Sequence, residues 1–293
     1  MSGDTETTRA LCLVNPTAGG GATAAELEPV FARLREAGFE LRVVELSAEG
    51  PSADELAAGA IRDGEAAVIV AGGDGTVGAA ARAIVGTDAT LGILPAGRYM
   101  NIARAIGLPR DDLGAAAERI AQKRVRRVDV GRVAGTAFFE AAGVGLDADA
   151  FHAGRSLVRR DHALVLTALR ALVARRGARL QVDIDGRGSP HRCLQAVVSN
   201  GPFYGWGFEV SPDARMDDGE LDLVLFSDNR LRVVREFIAA VIGRDRPPHG
   251  RRYRGRRITL RSAERIRVHA DGVPVGELPQ TFEVLPEALR VFS

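Results

Sequence analysis

Lysine is almost missing from this chain: of its 39 lysine and arginine residues, only Lys123 is a lysine. That scarcity narrows how the protein can handle a nucleotide. The P-loop and the protein-kinase phosphate site each need a lysine at a defined place. Lys123 has neither context, so a phosphate site here must work without one. Cysteine is scarce too, with Cys12 and Cys193 far apart in apolar, strand-like runs. They read as two buried thiols in a reducing compartment, not as a disulfide framework. No Cys or His spacing suits a metal site, and His152, His162 and His191 read as structural or exposed. Long apolar runs are absent as well. The longest candidate, AAVIVAGGDG, breaks at its glycines, short of the roughly 18 residues that span a bilayer. The first nine residues, MSGDTETTR, are polar and do not read as a signal peptide. A cytoplasmic protein is expected, with peripheral contact at the inner membrane face allowed.

What is present suits two domains. The chain has 293 residues, 46% of them hydrophobic, and a net charge of +1 that says little about partners. The first half alternates. RALCLVNP reads as a buried strand and TAAELEPVFARLREAG as an amphipathic helix ending at Gly38. FELRVVEL follows as a strand, SADELAAGAIRDG as a helix and AAVIVA as a wholly apolar strand. VGAAARAIVG, TLGILPAG, MNIARAIGL and DDLGAAAERIAQK continue as helix, strand, helix, helix. Such alternation predicts a Rossmann-like parallel sheet covered on both faces, over about residues 1–128. From Asp129 the pattern changes to short apolar runs divided by glycines: VDVGRV, AFFEAAGVG, RLQVDID, LQAVVSN, LDLVLF, RITLR, RIRVHADG and LRVFS. This predicts a β-sandwich-like domain over 129–293, whose last strand is free to return to the first domain. Helices are expected at 155–176 and 231–243, and a basic loop at 244–257.

The most informative segment is Ala71-Gly72-Gly73-Asp74-Gly75-Thr76. It follows a buried strand directly and opens a helix. Its glycines let backbone approach a ligand closely, and a helix start offers N–H groups and a positive dipole end to phosphate. Asp74 would repel a phosphate unless a cation mediates, which points to Mg²⁺. The plainer reading is a βα turn in which Asp74 and Thr76 merely cap. Two further glycine-rich turns follow strands: Asn15-Pro16-Thr17-Ala18-Gly19-Gly20-Gly21 and Pro95-Ala96-Gly97. All three belong on the carboxyl edge of the sheet, where ligands of open α/β sheets bind.

In this order and spacing, NPTAGGG, AGGDGT and LGILPAG…NIARAIGLP resemble the catalytic domain shared by diacylglycerol kinases, sphingosine kinases and bacterial lipid kinases. AAGVGLDA, VSNGPFYGWGFEVSPDARMDDGELDLVLF and VHADG resemble that family's β-rich domain, so the likeness spans roughly residues 9–292. It implies an ATP-dependent lipid kinase that transfers the γ-phosphoryl group to a lipid hydroxyl, of diacylglycerol or a related alcohol, with ATP and Mg²⁺ as cofactors. It implies ATP contacts at Asn15, Pro16 and Gly19, at Gly72, Gly73, Asp74, Gly75 and Thr76, and at Gly97. It implies a structural Mg²⁺ at Asp217 with the backbone near Glu220, and Asp271 as the general base. On its own, the Asp271-Gly272 pair also reads as an ordinary hairpin turn.

Two departures from the family pattern stand out. Val273 replaces an acid two residues after the base, and Arg98 stands where the family has threonine. Arg98 can grip phosphate with its planar fork of donors; equally, it marks altered activity. Two alternatives therefore stand beside the lipid kinase: an NAD kinase-like enzyme, since related turns occur there, and a catalytically impaired nucleotide-binding regulatory protein. The partners expected are a membrane lipid substrate and, through the arginine-rich stretches 155–176 and 244–257, an anionic membrane surface. One tyrosine among the seven arginines of 244–257 is too little for a base-stacking platform, so no nucleic acid is expected. A homodimer is allowed.

Overall fold

The computed structural model describes residues 7–19, 22–145, 177–226, 229 and 250–293. The helices expected at 155–176 and 231–243, and the first part of the basic loop, lie outside the described residues. The chain forms two compact units: Met1–Val130 with Pro286–Ser293, and Gly131–Leu285.

In the first unit, four parallel strands stand in the order β2-β1-β3-β4: β1 (Thr8–Val14), β2 (Phe39–Glu45), β3 (Ala67–Gly72) and β4 (Thr90–Pro95). Sequence pattern and position agree. β3 and β4 are buried along their whole length, as central parallel strands should be. β2 alternates because it is an edge strand with one face on the core. The helices are α1 (Glu28–Glu36), α2 (Ala53–Arg62), α3 (Asp74–Ile84), α4 (Asn101–Ala105) and α5 (Leu113–Ala121). Helix α2 opens on a capping box in which the Ser52 N–H and hydroxyl both donate to Glu55. Helix α5 opens on Asp112, which accepts from the Ala115 N–H at 2.8 Å. Helix α1 begins later than its periodicity suggests. Thr23 bonds Glu26 in a turn, and Pro29 lies at the first positions of the helix, where its missing N–H costs nothing.

The chain's last residues belong to this unit. Arg290 and Val291 pair in parallel with Thr90 and Leu91, and the Phe292 ring meets Phe39 edge-on at 5.8 Å. Cys12 and Cys193 are free and buried, and burial pushes the Cys12 thiol up to about 12.

The second unit is antiparallel. One sheet has the order β14-β13-β10-β7-β16-β17, from β7 (Ala141–Gly145), β10 (Gln195–Ser199), β13 (Leu221–Phe226), β14 (Gly250–Gly255), β16 (Arg267–Ala270) and β17 (Val273–Glu277). A second run joins β9 (Arg187–Cys193), β8 (Ala178–Ile184), β15 (Arg257–Arg261) and the first half of β18 (Gln280–Phe292). Val144, Val198, Leu223 and Val268 of the first sheet share one core with Val182, Ile258, Leu260 and Phe282 of the second. That is the β-sandwich-like arrangement the sequence implied. Three strands were not legible as apolar runs. Pro190 marks β9 as an edge, and Val-Pro-Val-Gly-Glu gives β17 little apolar signal. The third is a correction: residues 250–255, expected as part of a basic loop, form β14, with Arg254 opposite Asp222 on β13.

Candidate active site

In the first unit the three glycine-rich turns meet. The Asn15 N–H donates to the Ala71 carbonyl at 2.9 Å and the Ala96 N–H to the Gly72 carbonyl at 3.3 Å, so strand pairing itself draws the turns to one edge. The glycines are needed there for space. A Cβ on Gly97 would stand 2.4 Å from the Gly73 Cα, and one on Gly19 would stand 2.6 Å from the Ala96 carbonyl oxygen. Gly19 also has φ of +57°, where side chains are strained. Backbone touches backbone across all three turns, which leaves a cradle lined by peptide groups. Gly73 is the N-cap of α3, with Gly75 exposed in its first turn. Such a helix start suits a phosphate.

The polar side chains here hold the cradle together. The Asn15 amide donates to the Thr76 hydroxyl at 2.7 Å, and its carbonyl oxygen accepts from the Thr17 N–H and hydroxyl. Thr76 is therefore tied to the first turn and gives α3 no side-chain cap. Pro16 stands in that first turn, next to Asn15. Asp74 accepts from the Ile102 N–H at 3.0 Å, so it tethers the start of α4 to the start of α3. Burial raises its carboxyl above the ordinary aspartate value, while the backbone N–H groups of Ile102, Asn101 and Met100 pull the other way. The need for an aspartate among glycines is thus met by a helix start, a partner that the turn sequence alone did not reveal. Met100 was not singled out from the sequence. It has left-handed φ of +49°, and its sulfur accepts from the Gly97 N–H at 3.2 Å. Arg98 is exposed, with its guanidinium 5.9 Å from the Tyr99 ring centroid; among the described residues no carboxylate pairs with it.

In the second unit, Asp271 occupies a tight turn between β16 and β17. Asp271 and Gly272 have φ of +45° and +76°, the two left-handed residues of a type I′ hairpin. The plain turn reading is therefore right as far as the backbone goes. The carboxylate does more. Its oxygens accept from the N–H groups of Phe139 at 2.7 Å, Glu140 at 3.0 Å and Ala141 at 3.1 Å, and the Asp271 N–H returns a bond to the Ala141 carbonyl. This fixes the carboxylate's position. Behind it lies a buried pair: the Tyr204 hydroxyl is 2.7 Å from His269 Nε2, and the Gly272 N–H donates to His269 Nδ1. With Nδ1 accepting, the neutral ring carries its proton on Nε2 and donates it to tyrosine. Val273 follows the turn as the first residue of β17.

Asp217 and Glu220, the residues expected near a structural Mg²⁺, lie in a segment rich in ion pairs. Asp217 pairs with Arg215 at 2.9 Å. Arg254 lies among the other acids, 2.8 Å from Asp218, 3.2 Å from Asp222 and 3.9 Å from Glu220, and it also donates to the Asp213 carbonyl. A guanidinium already occupies the centre of this cluster. Among the described residues, no three His, Cys, Asp or Glu side chains form a metal-binding group. The structural Mg²⁺ that the resemblance implied would be held by Asp217 and the backbone near Glu220, in a segment whose acids already pair with Arg215 and Arg254.

Comparison with known proteins gives a consistent result. A family model of the diacylglycerol kinase catalytic domain matches residues 9–133, and one of the YegS C-terminal NAD kinase beta sandwich-like domain matches residues 141–293. A diacylglycerol kinase of Bacillus subtilis is 27% identical over 291 residues, covering 97% of this chain and 95% of its own. One from Mycobacterium tuberculosis H37Rv is 30% identical over 290 residues, covering 95% of this chain and 93% of its own. A crystal structure of a diacylglycerol kinase from Bacillus anthracis superposes with a TM-score of 0.75 at 21% identity, covering 98% of this chain and 97% of that one.

Proposed function

This chain belongs to the diacylglycerol kinase family, phosphotransferases with an alcohol as acceptor, and from that premise we propose that it transfers the γ-phosphoryl group of ATP to the hydroxyl of diacylglycerol or a closely related lipid alcohol. The observation that carries the nucleotide half is the cradle in which Gly97 packs on Gly73 and Gly19 on Ala96 so closely that a Cβ on Gly97 or Gly19 would clash. A cradle of this kind binds phosphate through N–H groups and a helix start, without a lysine. Gly72, Gly75 and the Asn15–Thr76 link shape it, and Arg98, exposed beside it in sequence, adds a cation for the phosphates. Mg²⁺ bound with the nucleotide would neutralise β- and γ-phosphate charge.

Asp271 is the residue we assign to the acceptor. Three N–H donors hold its carboxylate in one place. As the lipid oxygen attacks the γ-phosphorus, the hydroxyl proton passes to Asp271 and the bond to the bridging oxygen breaks, leaving ADP. Val273 means that no second carboxylate two residues on shares this task. The arginine-rich stretches favour an anionic membrane surface, where the acceptor resides.

The test is transfer of label from γ-labelled ATP, with Mg²⁺, to a panel of acceptors: diacylglycerol, a sphingoid base, phosphatidylglycerol, a polyprenyl alcohol and NAD. Labelled phosphatidic acid from diacylglycerol supports the proposal. The NAD arm is included because the second matching model carries an NAD kinase-like name; label in NADP alone would replace this reading.

A further inference from the structure

The chain has a single tryptophan, Trp206, and it is 59% exposed. Among the described residues, the one other exposed large hydrophobic side chain is Val125. Trp206 stands at the tip of a short hairpin, β11 (Phe203–Tyr204) against β12 (Phe208–Glu209). Gly205 and Gly207 flank it with φ of +57° and +82°, so no neighbouring side chain in the turn covers the indole. Its ring contact is edge-on to Phe208, at 6.2 Å between centroids.

The stem of this hairpin is built into the second unit. Tyr204 is buried with Ala141, Val197, Val210 and Val224, and Phe208 packs against them. The tyrosine ring stacks on His269 at 5.9 Å with 13° between planes, and its hydroxyl bonds His269 Nε2. The Ser211 N–H closes the base by donating to the Pro202 carbonyl. A packed stem thus carries one exposed indole. The same stem is bonded to His269, two residues before Asp271. Finger and proposed base therefore belong to the same unit.

We propose that the 203–209 hairpin is a membrane contact, with Trp206 inserted at the headgroup level of the bilayer that holds the lipid acceptor. This rests on the lipid-kinase reading above and adds the surface through which the chain meets its acceptor. Tryptophan suits that depth because its ring is apolar and its N–H still needs a polar partner. Among the described residues the indole meets one ring, Phe208, with exposed Glu209 alongside, which is little of the packed, desolvated surround that a protein hot spot needs. It suits a soft surface that closes around it.

Because Trp206 is the only tryptophan, intrinsic fluorescence reports on this position alone. The experiment mixes full-length, nucleotide-free protein with neutral phosphatidylcholine vesicles, with and without a lipid brominated in its acyl chains. The expected result is a blue shift that saturates with lipid and quenching by the brominated lipid. Trp206→Ala is expected to weaken vesicle cosedimentation by about tenfold, with unchanged melting temperature and unchanged turnover of a dissolved short-chain diacylglycerol. Cosedimentation with an unshifted, unquenched tryptophan would place the contact elsewhere and overturn the proposal. So would a failure to bind any vesicle, or a blue shift with dissolved diacylglycerol and none with vesicles. Quenching without lipid phosphorylation would leave this proposal standing and sink the choice of acceptor instead.

Discussion

Single residues set the geometry of the cradle: Gly97 lies against Gly73, and Gly19 against Ala96, so a Cβ on Gly97 or Gly19 would clash with a turn far away in sequence. Gly97→Ala should therefore raise the KM for ATP by at least about tenfold and lower the melting temperature, since its Cβ would also stand 2.7 Å from the Met100 sulfur. Nucleotide titration and a melting curve on the same protein check both. Asp74 was read as a residue needing a cation or a cap, and its actual partner, the start of α4, lies 28 positions away. Its carboxyl is raised by burial, so the folded state holds the proton more tightly than the unfolded one. Stability is then lost as pH rises from the ordinary aspartate value through the raised one. Asp74→Asn removes that titration and keeps an acceptor for the Ile102 N–H. The melting temperature of the variant minus that of the parent should increase across this window. A difference that stays flat with pH would contradict the assignment.

At the scale of elements, apolar strands and helices were plain in the sequence, and polar ones were not. β14 reads Gly-Arg-Arg-Tyr-Arg-Gly, a composition that suggests a loop, and it is a strand because its partner supplies the charge. Asp222 is buried, which raises its carboxyl, and the Arg254 guanidinium opposes that shift. Periodicity cannot find such a strand, because the stabilising contact is between strands. The arginine also ties the acidic segment 213–220 to the sheet. Arg254→Met should destabilise the protein by about 1–2 kcal/mol, a figure kept low because these groups are partly exposed, measurable in urea. In nucleotide-free parent protein, Mg²⁺ or EDTA should leave the melting temperature unchanged, since a guanidinium already cross-links these acids. A Mg²⁺-dependent rise that disappears in Asp218→Asn would show instead that a metal holds this segment.

At the scale of the whole chain, the division into a parallel α/β unit and an antiparallel unit followed from the switch of hydrophobic period near Asp129, and the unit boundary lies after Val130. The return of the last strand was readable only as an option, because LRVFS has the same pattern whichever sheet receives it. Packing decides it: Phe292 is 4% exposed and meets Phe39 of β2 in the first unit. Phe292→Ala should cost about 3–5 kcal/mol and weaken ATP binding through the first unit, although residue 292 lies at the far end of the chain. Denaturant unfolding with nucleotide titration tests that coupling.

We propose that this chain phosphorylates a lipid hydroxyl with Asp271 as the proton acceptor. The measurement that meets it most directly is transfer of label from γ-labelled ATP to diacylglycerol in vesicles, by the parent protein and by Asp271→Asn, with ATP affinity measured on both. Labelled phosphatidic acid is expected from the parent, with a loss of about 10²- to 10⁴-fold in the variant and ATP affinity retained. Equal turnover by the two proteins would contradict the proposal, as would ATP binding with no transfer to any lipid by the parent.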